Sequence, residues 1–293
     1  MPASRALLDV LGPGGRLQAA LPGWEPRPVQ LEMAAAVEDA LARRRPLLVE
    51  AGTGTGKTIA YLVPALLSGL KVVVSTGTKN LQEQILKKDI PLLREALPRP
   101  FEAAALKGIA NYLCQRRFRE FVATQQARGA DGDLLDRIAA WAERTYSGDR
   151  AELPDLPDDE PLWREVSSTT ETRIGPRCRF YEDCFVTRAR RQAQAADLLV
   201  VNHHLFFADL ALKEKWPSAQ LLPPYEAVIF DEAHQLEDVA TDYFGIGVSS
   251  LRTARLVRDL RAAVSQAQLD ERADRVAGHV EAQAELLWQA LRP

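Results

Sequence analysis

Residues 51–58 place small side chains, a lysine and a hydroxyl in an order that could bind the phosphates of a nucleotide. Small residues let backbone N–H groups approach phosphate oxygens, and the amine of Lys57 could contact the β- and γ-phosphates. The hydroxyl of Thr58 could bind Mg²⁺. Position 51 is alanine, where the common G-x-x-x-x-G-K-[ST] pattern starts with glycine. The predicted loop consists of Ala51, Gly52, Thr53, Gly54, Thr55, Gly56, Lys57 and Thr58.

A second candidate group, Asp231 and Glu232, directly follows the apolar run at residues 228–230. Asp231 is predicted to hold Mg²⁺ through a water molecule, and Glu232 is predicted to orient or deprotonate an attacking water. Each motif also has a simpler interpretation. The loop could be a glycine-rich turn beside a surface lysine, and the acidic pair could cap a helix N-terminus. The combination of the two motifs favours a site that hydrolyses a nucleotide.

The segments around these residues alternate between apolar runs and helical periodicity. Predicted strands cover residues 46–50, 72–76, 197–201 and 227–230, and predicted helices cover residues 34–45, 59–70 and about 79–97. The loop therefore lies between a strand and a helix, which is the context that a phosphate loop requires. Alternation of this length predicts an α/β fold with a parallel, doubly wound sheet.

Between residues 106 and 195 the apolar strand runs stop, and cysteines, arginines, acidic clusters and prolines appear. Because strand patterns return afterwards, we predict a module inserted into one domain. Residues 152–165 within it are predicted to form a mobile acidic loop. After residue 249 the pattern is helical, and its two apolar faces consist of Leu251, Val257, Leu260 and Val264, and of Val276, Val280, Leu286 and Leu287.

The composition is that of a globular protein, with 293 residues, 46% hydrophobic and 26% charged. A net charge of −3 gives no overall basic signature, so binding to nucleic acid would need a local patch. Three cysteines are too few for a disulfide framework; they indicate a reducing compartment and make metal ligation an open alternative. The sequence has no signal-peptide pattern and no apolar stretch of about 18 residues, so we expect a cytoplasmic protein without a membrane span.

A local patch of basic and aromatic residues surrounds the cysteines. Single-stranded DNA binding uses both types, because cations contact phosphates and aromatic rings stack on bases. Alternatively, the arginines line a solvated helix face and the aromatic residues fill the core of the module. The basic residues are Lys107, Arg116, Arg117, Arg119, Arg177, Arg179, Arg188, Arg190 and Arg191, and the aromatic residues are Tyr112, Phe118, Phe121, Phe180, Tyr181 and Phe185.

Several of these segments together resemble the iron–sulfur helicases of superfamily 2, the DinG and XPD group, and most of all their bacterial YoaA type. The resemblance rests on residues 27–30, 51–58, 184–209 and 231–236, and it covers nearly the whole chain. It implies a P-loop NTPase with a RecA-like parallel sheet, an inserted, mostly helical Fe–S module and the start of a helical Arch domain. The implied domains are residues 1–105 and 196–248 for the first motor domain, 106–195 for the module and 249–293 for the Arch domain.

The resemblance implies a DNA-dependent ATPase that uses ATP and Mg²⁺ and moves 5′ to 3′ along single-stranded or forked DNA. Arg27 and Gln30 would contact the adenine side of ATP, and residues 75–84 would line the DNA track. His234 would couple hydrolysis to a second motor domain. A bacterial cytoplasmic monomer with a replication or repair protein as partner is also implied.

Two groups of polar residues near the predicted site keep simple alternatives. Thr76, Thr78, Lys79 and Asn80 could bind a DNA phosphate at a helix N-terminus, or they could only cap that helix. His203 and His204 are expected to be structural histidines with satisfied hydrogen bonds.

By the same resemblance, Cys114, Cys178 and Cys184 stand where the family places ligands of a [4Fe–4S] cluster. The family has a fourth cysteine, which would fall near Arg173, and an arginine cannot ligate iron. Three interpretations stay open: a cluster on three thiolates, a Cys₃His zinc site closed by a histidine such as His203, or three unliganded cysteines.

The chain ends at Pro293, and no second sheet domain precedes that end. Helicases of this superfamily hydrolyse ATP between two motor domains, and the second domain supplies an arginine finger. We therefore expect this polypeptide to be weakly active or inactive alone and not to unwind DNA. The alternative function is a non-catalytic ATP- and DNA-binding regulatory module.

Overall fold

The computed structural model describes residues 2–52, 54–127, 132–157, 159–170, 172–245, 254, 257, 258, 261 and 271–290. The chain divides into two compact units, Met1–Val239 and Ala240–Pro293. The first unit contains the sheet and all the predicted site residues. None of the described helices is both long enough and apolar enough to cross a membrane.

The first unit has one parallel sheet of four strands in the order β2-β3-β1-β4. The strands are β1 (Val72–Thr76), β2 (Ala103–Ala105), β3 (Leu198–Asn202) and β4 (Ala227–Phe230). This arrangement confirms the predicted α/β fold class with a parallel sheet. Because the strands are parallel, Thr76, Asn202 and Asp231 emerge from the same edge of the sheet.

Alternate side chains of the two central strands enter two different cores. Val72 and Val74 of β1 belong to the first core, whereas Val73 belongs to the second. The same period of two divides β3, in which Val200 faces the first core and Val201 the second. Apolar runs buried on both faces are typical of parallel sheets, which explains why the sequence pattern was clear here.

The helices α1 to α6 build the first core together with the sheet. Helix α3 begins at Pro28 and ends at Arg43, because Arg44 adopts a left-handed conformation with φ 52°. The long helix predicted over residues 79–97 is continuous in the structure but includes a π-helical turn at Ile85–Asp89. The helices are α1 (Arg5–Leu11), α2 (Arg16–Ala20), α3 (Pro28–Arg43), α4 (Lys57–Leu67), α5 (Lys79–Gln84) and α6 (Ile90–Ala96).

The strand predicted over residues 46–50 was wrong. The segment has no strand pairing, and the side chain of Leu48 is 89% exposed. Leu47 and Val49 are exposed as well. An apolar run forms a strand only where it can pair with the edge of a sheet. Here the sheet ends at β4, and the segment at residues 46–50 does not pair with it.

The segment between β2 and β3 is mostly helical and packs around the second core. Its helices are α7 (Gln115–Ala127), α8 (Asp133–Ala142), α9 (Pro161–Val166) and α10 (Phe185–Ala195). The rings of Trp141 and Trp163 lie 6.1 Å apart in this core. The chain returns to the sheet at β3, as expected of an insertion, and the boundaries at residues 105 and 195 stay a prediction.

Residues 152–157 and 159–165, predicted as a mobile acidic loop, pack against this core. Leu156 and Trp163 are buried, and Pro161 begins α9. The carboxylate of Glu152 accepts hydrogen bonds from the Trp141 ring at 2.9 Å and from Thr145 at 2.7 Å. The apolar residues among the acidic ones therefore decide the local structure, which composition alone does not reveal.

Lys107 joins the insertion to α5 and is not exposed to solvent. Its side chain is 5% exposed, and its amine lies 2.5 Å from Glu83 and 2.6 Å from Asp149. These two contacts cross-link α5 to the insertion through a buried cation. The assignment of Lys107 to a DNA-binding patch was therefore wrong.

The second unit contains the remaining helix residues. Helix α11 (His203–Lys215) follows β3 in the first unit. Residues 236–244 form α12 (Leu236–Phe244), which includes the division at residues 239 and 240, and α13 (Glu271–Ala290) lies in the second unit. The predicted apolar face of α13 is open to solvent at Val276, Leu286 and Leu287. Leu251, Leu260 and Val264 of the other predicted face lie outside the described residues.

Candidate functional site

The predicted phosphate loop lies directly before α4 at the carboxyl edge of the sheet. Gly54 and Gly56 have φ angles of 78° and 79°, a region that favours glycine. A Cβ atom on Gly56 would lie 2.2 Å from the side-chain nitrogen of Gln30, so this position also lacks room for a side chain. Thr55 closes the loop by donating a hydrogen bond to the carbonyl of Gly52 at 2.9 Å. Thr53 lies outside the described residues.

Arg27 and Gln30 brace this loop from the start of α3. Gln30 is buried and donates a hydrogen bond to the carbonyl of Gly56 at 2.9 Å. Arg27 donates to the carbonyl of Gly54. Contact of these side chains with adenine stays a prediction, and their role in this structure is to hold the backbone of the loop.

The lysine of the loop meets the acidic turn after β4. The amine of Lys57 lies 3.3 Å from a carboxylate oxygen of Glu232, although 175 residues separate them in the chain. The other carboxylate oxygen of Glu232 lies 3.5 Å from Nδ1 of His234, whose side chain is 71% exposed. The fold thus brings Lys57, Glu232 and His234 together, as their predicted shared site requires.

Asp231 is buried beside them, and all its described contacts orient it. Its backbone N–H donates to the carbonyl of Ser75 at 2.9 Å, and its Oδ1 accepts from the backbone N–H of Glu232 at 3.0 Å. Oδ2 accepts from the hydroxyl of Tyr61 at 2.8 Å. The carboxylate is therefore held in one orientation at the end of β4.

Tyr61 was missed by the sequence reasoning. Burial raises the pKa of its hydroxyl well above the usual value, and the negative charge of Asp231 raises this pKa further. The hydroxyl therefore keeps its proton and donates to Asp231. Thr58, one turn earlier on α4, lies beside the same hydroxyl. Helical spacing from Thr58 could have identified Tyr61, because residues three apart share a helix face.

The turn after β4 contains a strained residue. Glu232 has φ 55° and ψ 49°, the left-handed region that non-glycine residues rarely adopt. Such strain persists only where surrounding contacts maintain it. Here the ion pair with Lys57 is one such contact.

The segment after β1 is built from capping interactions. The side chain of Thr78 accepts a hydrogen bond from the backbone of Leu81 at 3.2 Å and so caps α5. Thr76 is fully buried and donates to the carbonyls of Thr78 and Val201. Thr76 therefore cannot contact a DNA phosphate, and only Thr78 caps α5.

The three cysteines do not fit a four-thiolate cluster. Cys114, Cys178 and Cys184 are partly buried free thiols, and nowhere in the described ranges do three or more Cys, His, Asp or Glu side chains form a group that could hold a metal ion. The fourth position is occupied by Arg173, which donates to the hydroxyl of Thr187 at 3.2 Å. The same observation gives no support to a Cys₃His zinc site that includes His203.

Hydrogen bonds hold the cysteine-bearing segments together instead. The side chain of Gln115 donates to the carbonyl of Asp183 at 3.0 Å, which brings α7 beside the segment that precedes Cys184. Arg116 donates to the carbonyl of Thr172 at 3.0 Å, and Arg117 donates to the carbonyl of Ser167 at 2.6 Å. These two arginines of the basic patch therefore serve the fold of the insertion.

Other arginines of the patch stack on aromatic rings at the surface. The guanidinium carbons of Arg119 and Arg179 lie 4.8 Å and 4.7 Å from the ring centre of Phe180. Arg188 lies 4.6 Å from the ring centre of Tyr146, whose side chain is 68% exposed. Exposed arginine–aromatic stacks of this kind offer both a cation and a ring to a ligand.

A glycine-rich loop before a helix, together with an Asp-Glu pair at a neighbouring strand end, defines the nucleotide site of a P-loop NTPase motor domain. Residues 27–101 match the DEAD/DEAH box helicase family. Over 87% of this chain the sequence is 43% identical to the ATP-dependent DNA helicase YoaA of Haemophilus influenzae. The match covers 40% of that protein.

Two further relatives support the same assignment. The ATP-dependent DNA helicase YoaA of Escherichia coli is 43% identical over 92% of this chain and 43% of its own length. The ATP-dependent helicase DinG of Mycobacterium tuberculosis is 38% identical over 82% of this chain and 40% of its own length. The chain therefore contains a DEAD/DEAH box helicase match and is similar over most of its length to helicases of the DinG and YoaA type. It spans about 40% of the length of these relatives.

The contact between Tyr61 and Asp231 generates a prediction about Mg²⁺. A hydrogen bond to a charged group contributes about 1.5–3 kcal/mol, so Tyr61→Phe should raise the Mg²⁺ concentration for half-maximal ATP binding about tenfold. Binding of ATP in EDTA should stay unchanged. Titration of a fluorescent ATP analogue at graded Mg²⁺ concentrations measures both quantities. Tyr225→Phe, in the second core, is the control, and an unchanged Mg²⁺ dependence in Tyr61→Phe would contradict the assigned role.

The occupation of position 173 by arginine generates a prediction about iron. After anaerobic reconstitution with iron and sulfide, the natural chain should bind less than one cluster equivalent, and Arg173→Cys should bind clearly more, because it supplies the missing thiolate. Arg177→Cys adds a thiol to the same segment and serves as the control. Iron and sulfide analysis with an absorbance spectrum measures the outcome. A full complement of iron in the natural chain would show that three cysteines suffice.

Proposed function

We propose that this chain is the ATP-binding motor portion of an ATP-dependent DNA helicase. The observation that carries the proposal is the meeting of Lys57 with Glu232 beside the buried Asp231. The DEAD/DEAH-box relatives named ATP-dependent DNA helicases support the same function. Because those relatives are bacterial proteins, we propose that the chain acts on DNA in the cytoplasm. We also propose that it is a monomer and that a replication or repair protein is its partner.

In the proposed reaction the γ-phosphate of ATP takes the place of Glu232 at the amine of Lys57. The N–H groups of the loop and of the first turn of α4 then face the phosphates, where the helix dipole also favours negative charge. Arg27 and Gln30 keep the loop open for this approach by holding its carbonyls. The ion pair with Glu232 is thus a stand-in for the phosphate contact of Lys57.

Thr58 and Asp231 would hold Mg²⁺, and oxygen donors of this kind fit that ion. The ion, when bound, neutralises charge on the β- and γ-phosphate oxygens. Glu232, released from Lys57, accepts the proton of the attacking water at a carboxylate oxygen while the water oxygen bonds to the γ-phosphorus. The bond between that phosphorus and the leaving oxygen of ADP breaks. His234 would couple this hydrolysis to a second motor domain.

Directional movement needs more than this site. We propose 5′ to 3′ movement, as the resemblance implies, with an arginine finger from a second motor domain that raises the rate by about 10³–10⁵. The described residues form a single parallel sheet. The second candidate function is a non-catalytic ATP- and DNA-binding regulatory module, and the hydrolysis experiment below bears on both.

The surface that we propose for single-stranded DNA is formed by the arginine–aromatic stacks of the insertion. Arg119 and Arg179 are exposed and flank Phe180. Arg188 is half-buried, stacks on the exposed ring of Tyr146 and also donates to the carbonyl of Tyr146, so it offers less of its guanidinium than Arg119 and Arg179 do. Arg191 contributes less because it already pairs with Glu182 at 2.7 Å. A partner with regularly spaced phosphates and unpaired bases complements this arrangement.

The hydrolysis experiment separates the two candidate functions. Lys57→Ala should lose ATP binding at least about tenfold, because it removes the cation that faces the γ-phosphate. Glu232→Gln should bind ATP at least as tightly as the natural chain and hydrolyse it about 100-fold more slowly, because an amide accepts no proton. Isothermal titration and phosphate release with single-stranded DNA measure the two properties. The natural chain should show weak release that Glu232→Gln abolishes, and measurable release that is equal in the two chains would contradict the hydrolytic role of Glu232.

The DNA surface is tested by removing two charges at a time. Arg119→Gln combined with Arg179→Gln should weaken binding to oligo-dT about tenfold and should lower the salt slope by about 1.4, because each lost phosphate contact on a single strand contributes about 0.7. The matched control, Arg16→Gln with Arg94→Gln, removes two charges outside the insertion. Fluorescence anisotropy over a series of salt concentrations measures both values. An affinity and slope equal to those of the control would exclude this surface.

A further inference from the structure

His203 is buried between the ends of β1 and β4, and only one of its ring nitrogens has a hydrogen-bond partner. The side chain is 1% exposed, and Nδ1 lies 2.7 Å from the hydroxyl of Ser75. Nε2 is buried and has no hydrogen-bond partner among the described residues. The expectation of a fully satisfied structural histidine was therefore wrong for this residue. A buried polar atom without a partner is rare enough in a native fold to require an explanation.

The neighbours of the ring indicate which nitrogen carries the proton. Burial lowers the pKa of His203, so the ring is neutral and has one N–H donor and one acceptor. The backbone carbonyls of Asp231 and Glu232 lie beside the ring and raise this pKa, because a carbonyl oxygen favours the protonated ring. An N–H at Nε2 would face these carbonyls, and Nδ1 would then accept from the Ser75 hydroxyl. Nε2 thus has an acceptor within reach but no hydrogen bond of normal geometry to it.

The turn that lies opposite Nε2 is the strained turn of the nucleotide site. Glu232 is held in a left-handed conformation while it pairs with Lys57 at 3.3 Å. A phosphate that binds Lys57 removes this contact, so the turn is free to relax. Because Asp231 precedes Glu232 directly, any change at Glu232 moves the carbonyl that faces His203.

Through Nδ1 the ring contacts Ser75, which belongs to the segment predicted to line the DNA track. Ser75 also accepts, through its carbonyl, the backbone N–H of Asp231 at 2.9 Å. Two residues later, Gly77 packs so closely on Gln235 that a Cβ atom would lie 2.3 Å from its side-chain oxygen. Residues 75–78 and 231–235 therefore form one packed unit, with His203 inside it.

We propose that His203 is a positioning residue that couples the nucleotide site to the segment between β1 and α5, which is predicted to line the DNA track. While Lys57 pairs with Glu232, the carbonyl of Asp231 faces Nε2 without a hydrogen bond of normal geometry. When Lys57 binds a phosphate instead, the turn relaxes and this hydrogen bond forms. The ring then pulls on the hydroxyl of Ser75 through Nδ1, and residues 76–78, which connect β1 to α5, shift with it. The inference rests on the proposed ATP and DNA binding and assigns the link between the two.

Thermodynamic linkage tests the proposal in the intact chain. The affinity for fluorescent oligo-dT is measured with and without a non-hydrolysable ATP analogue and Mg²⁺, and the ratio of the two affinities is the coupling factor. Coupling of this kind is typically about 5- to 150-fold, and it is reciprocal for the two ligands. We expect a factor of at least about fivefold in the natural chain.

Two substitutions of His203 separate its two nitrogens. The amide of His203→Asn reaches the Nδ1 position only, so the coupling factor should fall below about twofold while each ligand alone binds as before. The amide of His203→Gln reaches the Nε2 position and should keep part of the coupling. His204→Asn, at the neighbouring exposed histidine, is the control and should keep all of it.

The outcomes distinguish this inference from the proposed function. A natural chain that binds neither ligand overturns the proposed function, and this inference falls with it. Binding of both ligands without coupling, or coupling that survives in His203→Asn, overturns the inference alone. Equal weakening of both affinities with an unchanged coupling factor shows a merely structural histidine and also overturns it. Where His203→Asn does not fold, as judged by its thermal melt, Ser75→Ala removes the Nδ1 partner and must show the same loss of coupling.

Discussion

Strand β1 pairs in parallel with β4, and its last residues extend to the turn that carries the acidic pair. The hydrogen bond from the N–H of Asp231 to the carbonyl of Ser75 continues that pairing one step beyond β4. It places Asp231 against α4, where Tyr61 reaches its carboxylate. The position of Lys57 at the start of the same helix then follows, so one strand pairing sets the spacing of the whole nucleotide site.

In the nucleotide-free site the positive charge of Lys57 is balanced by the carboxylate of Glu232. Lys57 and Glu232 are both partly exposed, and their contact at 3.3 Å is an ordinary ion pair that water weakens. Such a pair is easily exchanged for a phosphate, which has more charge and more acceptor atoms. The tighter contacts are those that do not exchange: Gln30 on the loop and Tyr61 on Asp231, both buried. The site therefore combines a rigid frame with one replaceable interaction.

The sequence predicted most of this frame because its signals are local. The bounds of β1 and β4 agree with the predicted strands, since each is a short apolar run that ends in a polar turn. The loop was identified from its glycines and lysine for a similar reason. Contacts across the fold had no such signal, which explains why Tyr61 and the burial of Lys107 were missed. The predicted strand at residues 46–50 failed for the same reason, because strand pairing depends on a partner and not on the run itself.

The insertion shows how arginine can fulfil different roles within a few residues of one another. Arg116 and Arg117 donate to backbone carbonyls across the module, and such bonds join segments as a metal ligand set would. Arg119 and Arg179 make no such bond in the described structure and stack on Phe180 instead. A guanidinium satisfies carbonyls when it points inward and remains available to phosphates when it lies on a ring. The direction of the side chain therefore separates Arg116 and Arg117, which maintain the fold, from Arg119 and Arg179, which can contact DNA. Arg188 does both, since it stacks on Tyr146 and donates to its carbonyl.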